Sequence, residues 1–467
     1  MNQRPAPSIP TRGFATFMVL WAITLAALVL VALQSSSFRQ AAAGREAVAR
    51  VRAQWAARAG VEACISKLSA ATINPDTSSA MTVYSDLAGV AHGELGTSAS
   101  SSQPAPATYS IRHFDGTQEV DGPEDAHAKL NINTLGTTDM MLLDAMDDTT
   151  AQSIHNWIHG YDETSDVGGA DDGAYTGLRY PYKPRSAPIR SLKELELVQG
   201  VDPKLLRGED ANYNGRLDPG EDDGDVSLPT DNADGIMDAG WSRYLTAVSE
   251  VDKPGSSYGL SGQLKLDLRT ASVSDIASRL SVDQNQAQAI STYAAGAAPT
   301  LADLIRTDLG TLAQSARAAT LLNGQRQQTT VNPLSKDQMK TLLDECLISS
   351  EVATQGVRSG KLNINTAPRE VLEKFDYFYT QNPDMLDQII TARDSRPGGF
   401  VSMMDLEDIA TITNDTLATL MTYLDVKSNV FVVSSRGRDS ATGVEVEIVA
   451  VLDRSSIPVV IRDLSVR

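Results

Sequence analysis

Residues 14–33 read FATFMVLWAITLAALVLVAL, an apolar run without a single charged side chain. At about 1.5 Å per helical residue, a helix of this length is just long enough to cross a hydrocarbon core of ~30 Å. The segment ahead of the run carries Arg4 and Arg12, and no acidic residue occurs before Glu46. Because a basic flank stays on the cytoplasmic side of a membrane, we expect one membrane helix with the bulk of the chain on the other side.

The residue just ahead of the run indicates how the leader is processed. A secretory signal peptide has a shorter apolar core and a small-residue cleavage site after that core. Here the small residue is Gly13, which precedes the apolar run. Cleavage there would remove residues 1–13 and leave Phe14 at the start of a membrane helix. This order resembles the type IV prepilin signal, and an uncleaved signal anchor is the alternative interpretation.

Length and charge restrict the functional classes. A chain of 467 residues is too long for a major pilin and predicts two or three domains outside the membrane. Its net charge of −19 gives no basic surface for nucleic acid, which we do not expect as a partner, and supplies carboxylates for calcium. Cys64 and Cys346 have no zinc-site spacing. The sequence leaves a disulfide between them open, and two separate thiols are the favoured interpretation.

The membrane helix is predicted to continue beyond the bilayer. Residues 38–68 contain no proline, and apolar side chains recur at helical spacing. The predicted buried face consists of Val48, Val51, Trp55, Val61, Ile65 and Leu68. A separate helix after the membrane anchor fits the same periodicity.

An internal repeat organises the middle of the chain. The sequence KLNINT at 129–134 recurs at 361–366, and a degenerate copy, KLDLRTA, occupies 265–271. We predict that each copy opens a helical stretch, with its threonine as the helix N-cap. Each copy is followed by a segment typical of a capping box, in which a Ser or Thr precedes an acid by three residues. These segments are 191–195, 300–304 and 402–406.

The repeated unit resembles the helix-hairpin-helix module. That module binds DNA through a Gly-hydrophobic-Gly hairpin, and none of the three copies keeps those glycines. The third copy has Phe375-Asp376-Tyr377-Phe378 at that place, and the second has Leu280-Ser281-Val282-Asp283. DNA binding is therefore not expected, although a membrane-anchored helix-hairpin-helix protein that binds DNA or polysaccharide at the cell surface remains the alternative function.

Strands are predicted on both sides of the repeats. Residues 109–114 are predicted to form one strand, and 429–435 and 444–452, which are rich in β-branched residues, are predicted to form two more. Residues 459–461 add a possible third C-terminal strand. The helical units would then be inserted between early and late strands of one antiparallel sheet.

A calcium loop is predicted at Asp210–Glu221, where every specified position of the EF-hand pattern is filled. The predicted ligands are Asp210, Asn212, Asn214, Asp218 and Glu221, with the backbone carbonyl of Arg216. The proline-glycine pair that follows Asp218 makes an exiting helix improbable, so a dockerin-like loop fits better than a sensor EF-hand.

A second loop repeats the middle of this pattern with Asn232, Asp234 and Asp238. It has Thr230 at position 1 and Trp241 at position 12 in place of acids. A weaker second ion and a site shared with the first loop are both open. The acidic segment 162–172 is a third candidate, and a solvated Gly/Asp turn explains it equally well.

Enzymatic activity is not expected. The five histidines form no HExxH motif, and no GxSxG, P-loop or GxGxxG occurs. His155 and His159 can share one helix face, but a surface pair explains that spacing better than a metal site.

Across nearly its whole length the sequence resembles the K-type minor pseudopilins of bacterial type II secretion systems. The resemblance lies in the leader and membrane helix and in these further stretches: 56–62, 157–162, 169–172, Tyr175, 180–182, 187–188 and 191–200. Most pseudopilins carry Glu at the fifth mature position, whereas K-type members lack it. Here that position is Met18. The resemblance implies a subunit at the pseudopilus tip with no subunit beyond it.

The expected fold is α+β: a pilin-like N-terminal transmembrane spine helix with a small antiparallel sheet, plus a large inserted, mostly helical domain. The expected divisions are a leader at 1–13, a transmembrane helix at 14–33, a periplasmic spine at 34–70, a first pilin-like part at 71–128, the inserted domain at 129–424 and C-terminal strands at 425–467. Within the insertion we expect helix-hairpin-helix-like units at about 129–206, 263–325 and 361–424, and a calcium region at 208–241.

The resemblance also implies where the chain works and with what. We expect a single-pass inner-membrane protein with its bulk in the periplasm. Its expected partners are other minor pseudopilins, the major pseudopilin and secreted protein substrates, and its function is to initiate pseudopilus assembly and support protein export.

Overall fold

The computed structural model describes residues 12–96, 105–162, 168–228, 230–312, 331–353 and 360–467. Its α-helices are α1 (Arg12–Ile73), α2 (Thr82–Ala88), α3 (Thr137–Met140), α4 (Asp148–His159), α5 (Asp172–Thr176), α6 (Pro203–Arg207), α7 (Val273–Leu280), α8 (Gln284–Ala294), α9 (Leu301–Arg306), α10 (Lys336–Glu345), α11 (Ser349–Ala353), α12 (Arg369–Leu372), α13 (Pro383–Asp394) and α14 (Asn414–Tyr423). Short 3₁₀ helices span Ala126–Ala128, Leu192–Leu197, Gly240–Arg243 and Met403–Asp408, and a π-helical turn spans Tyr377–Gln381.

The strands are mostly short outside one sheet. They are β1 (His92–Leu95), β2 (Ala107–Phe114), β3 (Glu119–Asp121), β4 (Glu124–Asp125), β5 (Leu130–Asn131), β6 (Leu245–Thr246), β7 (Leu266–Asp267), β8 (Cys346–Leu347), β9 (Leu362–Asn363), β10 (Leu424–Asp425), β11 (Val430–Asp439), β12 (Glu445–Asp453) and β13 (Val460–Val466).

The N-terminal helix α1 is continuous over 62 residues. Its segment from Phe14 is long and apolar enough to cross a membrane, and none of the apolar window is buried against the protein. The alternative of an anchor followed by a separate helix is therefore wrong. The prediction of a long N-terminal apolar helix joined to an antiparallel sheet is confirmed.

The main sheet brings together strands from both ends of the chain. Its order is β1-β2-β11-β12-β13, with β3 paired to β2 and β4 paired to β11. Neighbouring strands are antiparallel, and Ile111 of β2 lies opposite Ser435 of β11. Everything between β4 and β11 is therefore inserted between two strands that pair with each other.

The face of α1 that packs on the sheet differs from the predicted one. Val48, Val51 and Trp55 are 51%, 51% and 64% exposed, so their assignment to the buried face is wrong. The buried positions along this stretch are instead small: Ala49, Ala53, Ala56, Ala57 and Gly60.

Close backbone approach explains that choice of small residues. A Cβ added to Gly437 of β11 would lie 1.9 Å from the Ala53 carbonyl oxygen, and one added to Gly60 would lie 2.3 Å from Ser435 Oγ. Helix and sheet are thus too close for valine or tryptophan between them. Farther along the helix, Val61 and Leu68 are fully buried as predicted.

Each of the three repeats closes on itself through a two-residue parallel strand pair. Strand β5 pairs with β6, β7 pairs with β8, and β9 pairs with β10. The second repeat has a hydrophobic core of its own, whereas the first and third share a larger one. Each repeat thus forms the first strand of a unit, and the last strand of that unit pairs with it.

The threonine of the repeat is not a helix N-cap, so that prediction is wrong. Thr134 Oγ1 donates to the Asn131 carbonyl at 3.2 Å, which places the threonine inside a turn, and Thr366 Oγ1 donates to Asp125. The N-cap positions of the following helices α3, α7 and α12 are held by Gly136, Ser272 and Pro368. A turn lies between the repeated motif and the helix, because the first asparagine of the motif accepts a hydrogen bond from the backbone N–H of the second.

The second asparagine of the repeat clamps two chain segments. Asn365 Nδ2 donates to the Phe400 and Val426 carbonyls at 2.8 and 2.9 Å, and its Oδ1 accepts from Phe400 N–H at 2.7 Å. Asn133 makes the same three contacts with Ile189 and Ala247. Both asparagines are buried. The two identical six-residue sequences are therefore explained by the same requirement, an amide side chain that hydrogen-bonds to buried backbone groups.

The predicted capping segments start short helices. Asp405 accepts from the Ser402 N–H at 2.9 Å, and Thr300 Oγ1 accepts from Asp303 N–H at 3.1 Å. Ser191 Oγ accepts from Lys193 N–H at 3.3 Å. Two of the three helices are 3₁₀ rather than α.

The two cysteines do not meet. Cys64 lies in the core between α1 and the sheet, Cys346 lies in the core of the second repeat, and both are buried free thiols. Burial raises the pKa of each thiol to about 12.

Candidate calcium-binding site

The first loop is built around an inward-facing Asp210. Its two carboxylate oxygens accept from the backbone N–H groups of Asn214 and Gly215 at 3.0 and 3.1 Å. Gly215 has φ of +68°, a left-handed conformation that glycine adopts without strain. The predicted sharp turn at position 6 is present, and it folds the backbone around the carboxylate at position 1.

Glu221 closes the loop. Its Oε1 accepts from Ala211 N–H and its Oε2 accepts from Asp218 N–H, both at 3.0 Å. The carboxylate at position 12 therefore reaches back to positions 2 and 9. The described residues of 208–239 contain no helix or strand, which agrees with the expectation that no helix leaves the loop.

Three polar side chains line the rest of the first loop. The amides of Asn212 and Asn214 both donate to Asp218 Oδ2, at 2.8 and 2.9 Å, and Asn214 Oδ1 accepts from Arg216 N–H at 2.8 Å. The Arg216 side chain is buried, with its guanidinium 3.8 Å from Glu119. All six predicted positions of the first loop are thus gathered in one compact turn.

Electrostatics separate this loop from an ordinary acidic turn. Burial raises the pKa of Asp210 to about 6. Burial, together with the nearby Asp210 and Asp218 charges, raises the pKa of Glu221 to about 7. Two carboxylates are held close together out of water, an arrangement that a divalent cation relieves.

The donor set fits calcium. Carboxylate, amide and carbonyl oxygens are the ligands that this hard cation takes in flexible loops. Among the described residues no three His, Cys, Asp or Glu side chains converge closely enough to hold a metal alone. The loop pattern adds the Asn amide oxygens and a backbone carbonyl to the carboxylates as predicted ligands.

The second loop receives its missing acids from outside. In the first loop the glycine at position 6 donates to the acid at position 1. In the second loop the corresponding Gly235 N–H donates to Asp222 Oδ1 at 3.0 Å. Likewise Asp238 N–H, at position 9, donates to Glu209 Oε2 at 3.0 Å, as Asp218 N–H does to Glu221.

Asp222 and Glu209 therefore occupy the places for which the second loop has Thr230 and Trp241. Neither residue could be identified from the sequence pattern, because a linear pattern cannot include residues from another loop. One signal was available: Glu209 directly precedes the first loop and Asp222 directly follows it. Asn232 and Asp234 lie in the intervening turn, where the Asn232 Oδ1 accepts from Asp234 N–H at 3.1 Å.

The remaining predicted positions are less informative. In the third acidic candidate, Asp171 caps α5 by accepting from Ala174 N–H at 2.9 Å, and residues 163–167 lie outside the described part of the chain. His155 and His159 do share one face of α4, with ring centroids 4.5 Å apart. At the processing site, Gly13 lies within α1 and Phe14 is 70% exposed.

Comparison with known proteins covers part of the chain. Residues 120–208 match the family model described as "Type II secretion system (T2SS), protein K". No curated protein matches the chain. Among solved structures it is similar to a chain of the GspK-GspI-GspJ complex from the enterotoxigenic Escherichia coli type 2 secretion system. That likeness has 12% identity and a TM-score of 0.36, over 91% of this chain and 99% of the other.

Proposed function

We propose that this chain, a K-type minor pseudopilin of type II secretion by its match over residues 120–208, stands at the tip of a pseudopilus. There it starts assembly with other minor pseudopilins and supports protein export. The observation that carries the proposal is the family match together with one continuous helix, α1, that joins an exposed apolar span to an antiparallel sheet. No described feature indicates catalysis, and the family is a secretion component.

The exposed half of α1 supports contact with other membrane-anchored helices. The apolar span from Phe14 is uncovered, and Val48, Val51 and Trp55 continue an apolar surface beyond it. In the solved complex, GspK is assembled with GspI and GspJ. We assign the corresponding minor pseudopilins, and the major pseudopilin, as partners here, with secreted proteins as the cargo.

Processing and location follow from the leader. Cleavage after Gly13 would leave Phe14 as an N-methylated first residue of an inner-membrane helix, with the globular part in the periplasm. Met18 supports a terminal position, since a subunit without a carboxylate at the fifth mature position cannot neutralise the amine of a neighbour.

The inserted domain is proposed to consist of three helix-hairpin-helix-like units with the boundaries given above. Three strand pairs support a division into three units, but the first two units close at 245–246 and 346–347, beyond the predicted ends at 206 and 325. The helix pair α7 and α8 also supports three units, because only three residues separate the two helices and α8 carries an Asp283–Gln286 capping box.

Calcium is the proposed cofactor. The first ion would be held by Asp210, Asn212, Asn214, Asp218 and Glu221 with the Arg216 carbonyl. A second would be held by Asn232, Asp234 and Asp238 with Asp222 and Glu209. Bound calcium supplies positive charge to a region with little secondary structure of its own. The protein residues hold the loops in place through the backbone hydrogen bonds described above.

Leader processing and partner capture test the proposal. In cells with the complete secretion system, intact mass should place the N-terminus at Phe14, and the affinity-tagged chain should co-purify with two other minor pseudopilins. Gly13→Val should retain residues 1–13 and abolish secretion, whereas Gly44→Ala, in the same helix with open space around it, should leave both unchanged. Full secretion with a retained leader would contradict the pilin route. Binding of duplex DNA without any secretion defect would favour the alternative function.

A further inference from the structure

The first calcium loop lies directly against the pilin-like sheet. Asn214 Nδ2 donates to Glu447 Oε2 at 3.0 Å, and Arg436 donates to Asp218 Oδ1 at 2.5 Å. Backbone contact accompanies these side chains, because Phe114 N–H of β2 donates to the Gly215 carbonyl at 2.8 Å. Two of the proposed ligands thus contact residues of β11 and β12, far away in the sequence.

Glu447 is itself fixed before it reaches the loop. Ser434 Oγ donates to its Oε1 at 2.8 Å, and the Arg436 guanidinium lies 3.5 Å from the same oxygen. Arg216 approaches from the loop side at 4.0 Å. The Glu447 side chain is 8–9% exposed, so its second oxygen, Oε2, is held in place for Asn214.

These contacts determine the orientation of the ligand groups. With its Nδ2 held by Glu447, the Asn214 amide cannot rotate to exchange nitrogen and oxygen. With Oδ1 of Asp218 held by Arg436, only Oδ2 faces the loop, where both Asn amides reach it. Hydrogen bonds from outside the ligand set typically orient the ligands of a metal and change its affinity about 10–100-fold when removed.

We propose that Glu447 and Arg436 are positioning residues for the first calcium site, so that ion binding and docking of the inserted domain on the sheet strengthen each other. This inference rests on the proposed calcium binding. Linkage requires the effect to be reciprocal: if the docked sheet favours the ion, the ion must favour the docked sheet by the same factor.

Calcium titration of the full-length chain in detergent, followed by calorimetry, tests the first half. Glu447→Ala should weaken calcium binding about 10–100-fold. Glu447→Gln should restore affinity to within a few-fold of the wild type, because an amide oxygen still accepts from Asn214. The matched control is Glu445→Ala on the same strand, whose partner Arg438 is 62% exposed.

Hydrogen exchange of the wild type tests the second half and needs no variant. Calcium should slow amide exchange in 434–438 and 445–449, and magnesium at the same concentration should have a smaller effect. An affinity that is unchanged in Glu447→Ala, or equally weak in Glu447→Gln, would overturn the positioning role. Calcium binding without slower exchange in the strands would overturn the coupling. If the wild type binds no calcium, the proposed cofactor fails and this inference fails with it.

Discussion

Truncation of Asn365 should test the clamp that the repeat encodes. Asn365→Ala removes three hydrogen bonds and leaves the Phe400 N–H, the Phe400 carbonyl and the Val426 carbonyl without these partners. Phe400 is fully buried and Val426 is 7% exposed. Each buried group that loses its partner costs about 1–3 kcal/mol. Since all three groups contact the same side chain, their losses are not independent, and the total loss should be about 3–5 kcal/mol.

Hydrogen exchange under native conditions measures this loss locally. Because about 1.4 kcal/mol corresponds to a tenfold change, exchange at 362–366, 400 and 424–426 should be accelerated at least ~100-fold. The control is Arg269→Ala, since Arg269 stands at the same place in the second repeat and is exposed. That variant should stay within about 0.5 kcal/mol of the wild type. A loss below about 1 kcal/mol for Asn365→Ala would refute the clamp.

Four further predictions concern the proposed calcium loop, the spine helix and the membrane-spanning segment. If calcium binds with a dissociation constant of about 10⁻⁴–10⁻³ M, 1 mM calcium should stabilise fragment 36–467 by about 0.4–1.4 kcal/mol. A calcium-induced rise in melting temperature that is equal in the wild type and in Glu221→Gln would contradict the site. Without calcium, the pKa of Glu221 in the folded protein is about 7, above the ordinary value of 4.5. The protonated Glu221 therefore stabilises the fold fully below pH 4.5, and this stabilisation should be lost as the pH rises through about 7. Thermal unfolding at several pH values, with and without calcium, measures this loss. Gly437→Ala should destabilise the protein by about 1–3 kcal/mol, because the added Cβ meets backbone atoms of α1. Gly44→Ala should stabilise it by about 0.5–1 kcal/mol, because the space around Gly44 is open. A change of melting temperature in the same direction for both variants would contradict the packing argument. Met18→Glu should be tolerated or mildly disruptive in a secretion assay, since a lone carboxylate in hydrocarbon costs about 2.5–3.5 kcal/mol, and improved secretion would contradict the tip position.

The sequence predicted those features that depend on local pattern. The apolar run, the late β-branched strands and the glycine at position 6 of the first loop each lie where the pattern placed them. On α1, the prediction that Val48, Val51 and Trp55 are buried is wrong, because the distance between helix and sheet, and not hydrophobicity, decides which side chains fit there. Alanines face the sheet since Gly437 brings the strand backbone against the helix, and that closeness depends on a residue hundreds of positions away.

The second loop shows the same limit at the candidate site. Its pattern lacks both terminal acids, and Asp222 and Glu209 fill those places only after the chain folds back on itself. The prediction that the threonine of each repeat is a helix N-cap is wrong for a related reason. A Thr before a helical stretch is typical of an N-cap, but the two asparagines of the repeat had already committed the backbone to a turn.

Because a strand pair closes each repeat, the length of the chain between the two strands has little effect on stability. Leu362 meets Leu424 in the third unit, whereas Leu130 meets Leu245 in the first, which encloses nearly twice as many residues, including both acidic loops. Loop-closure entropy grows only as the logarithm of length, so this near doubling costs about 0.5 kcal/mol. A closed unit can therefore acquire a new functional segment without a new fold, and the acidic loops occupy such a segment.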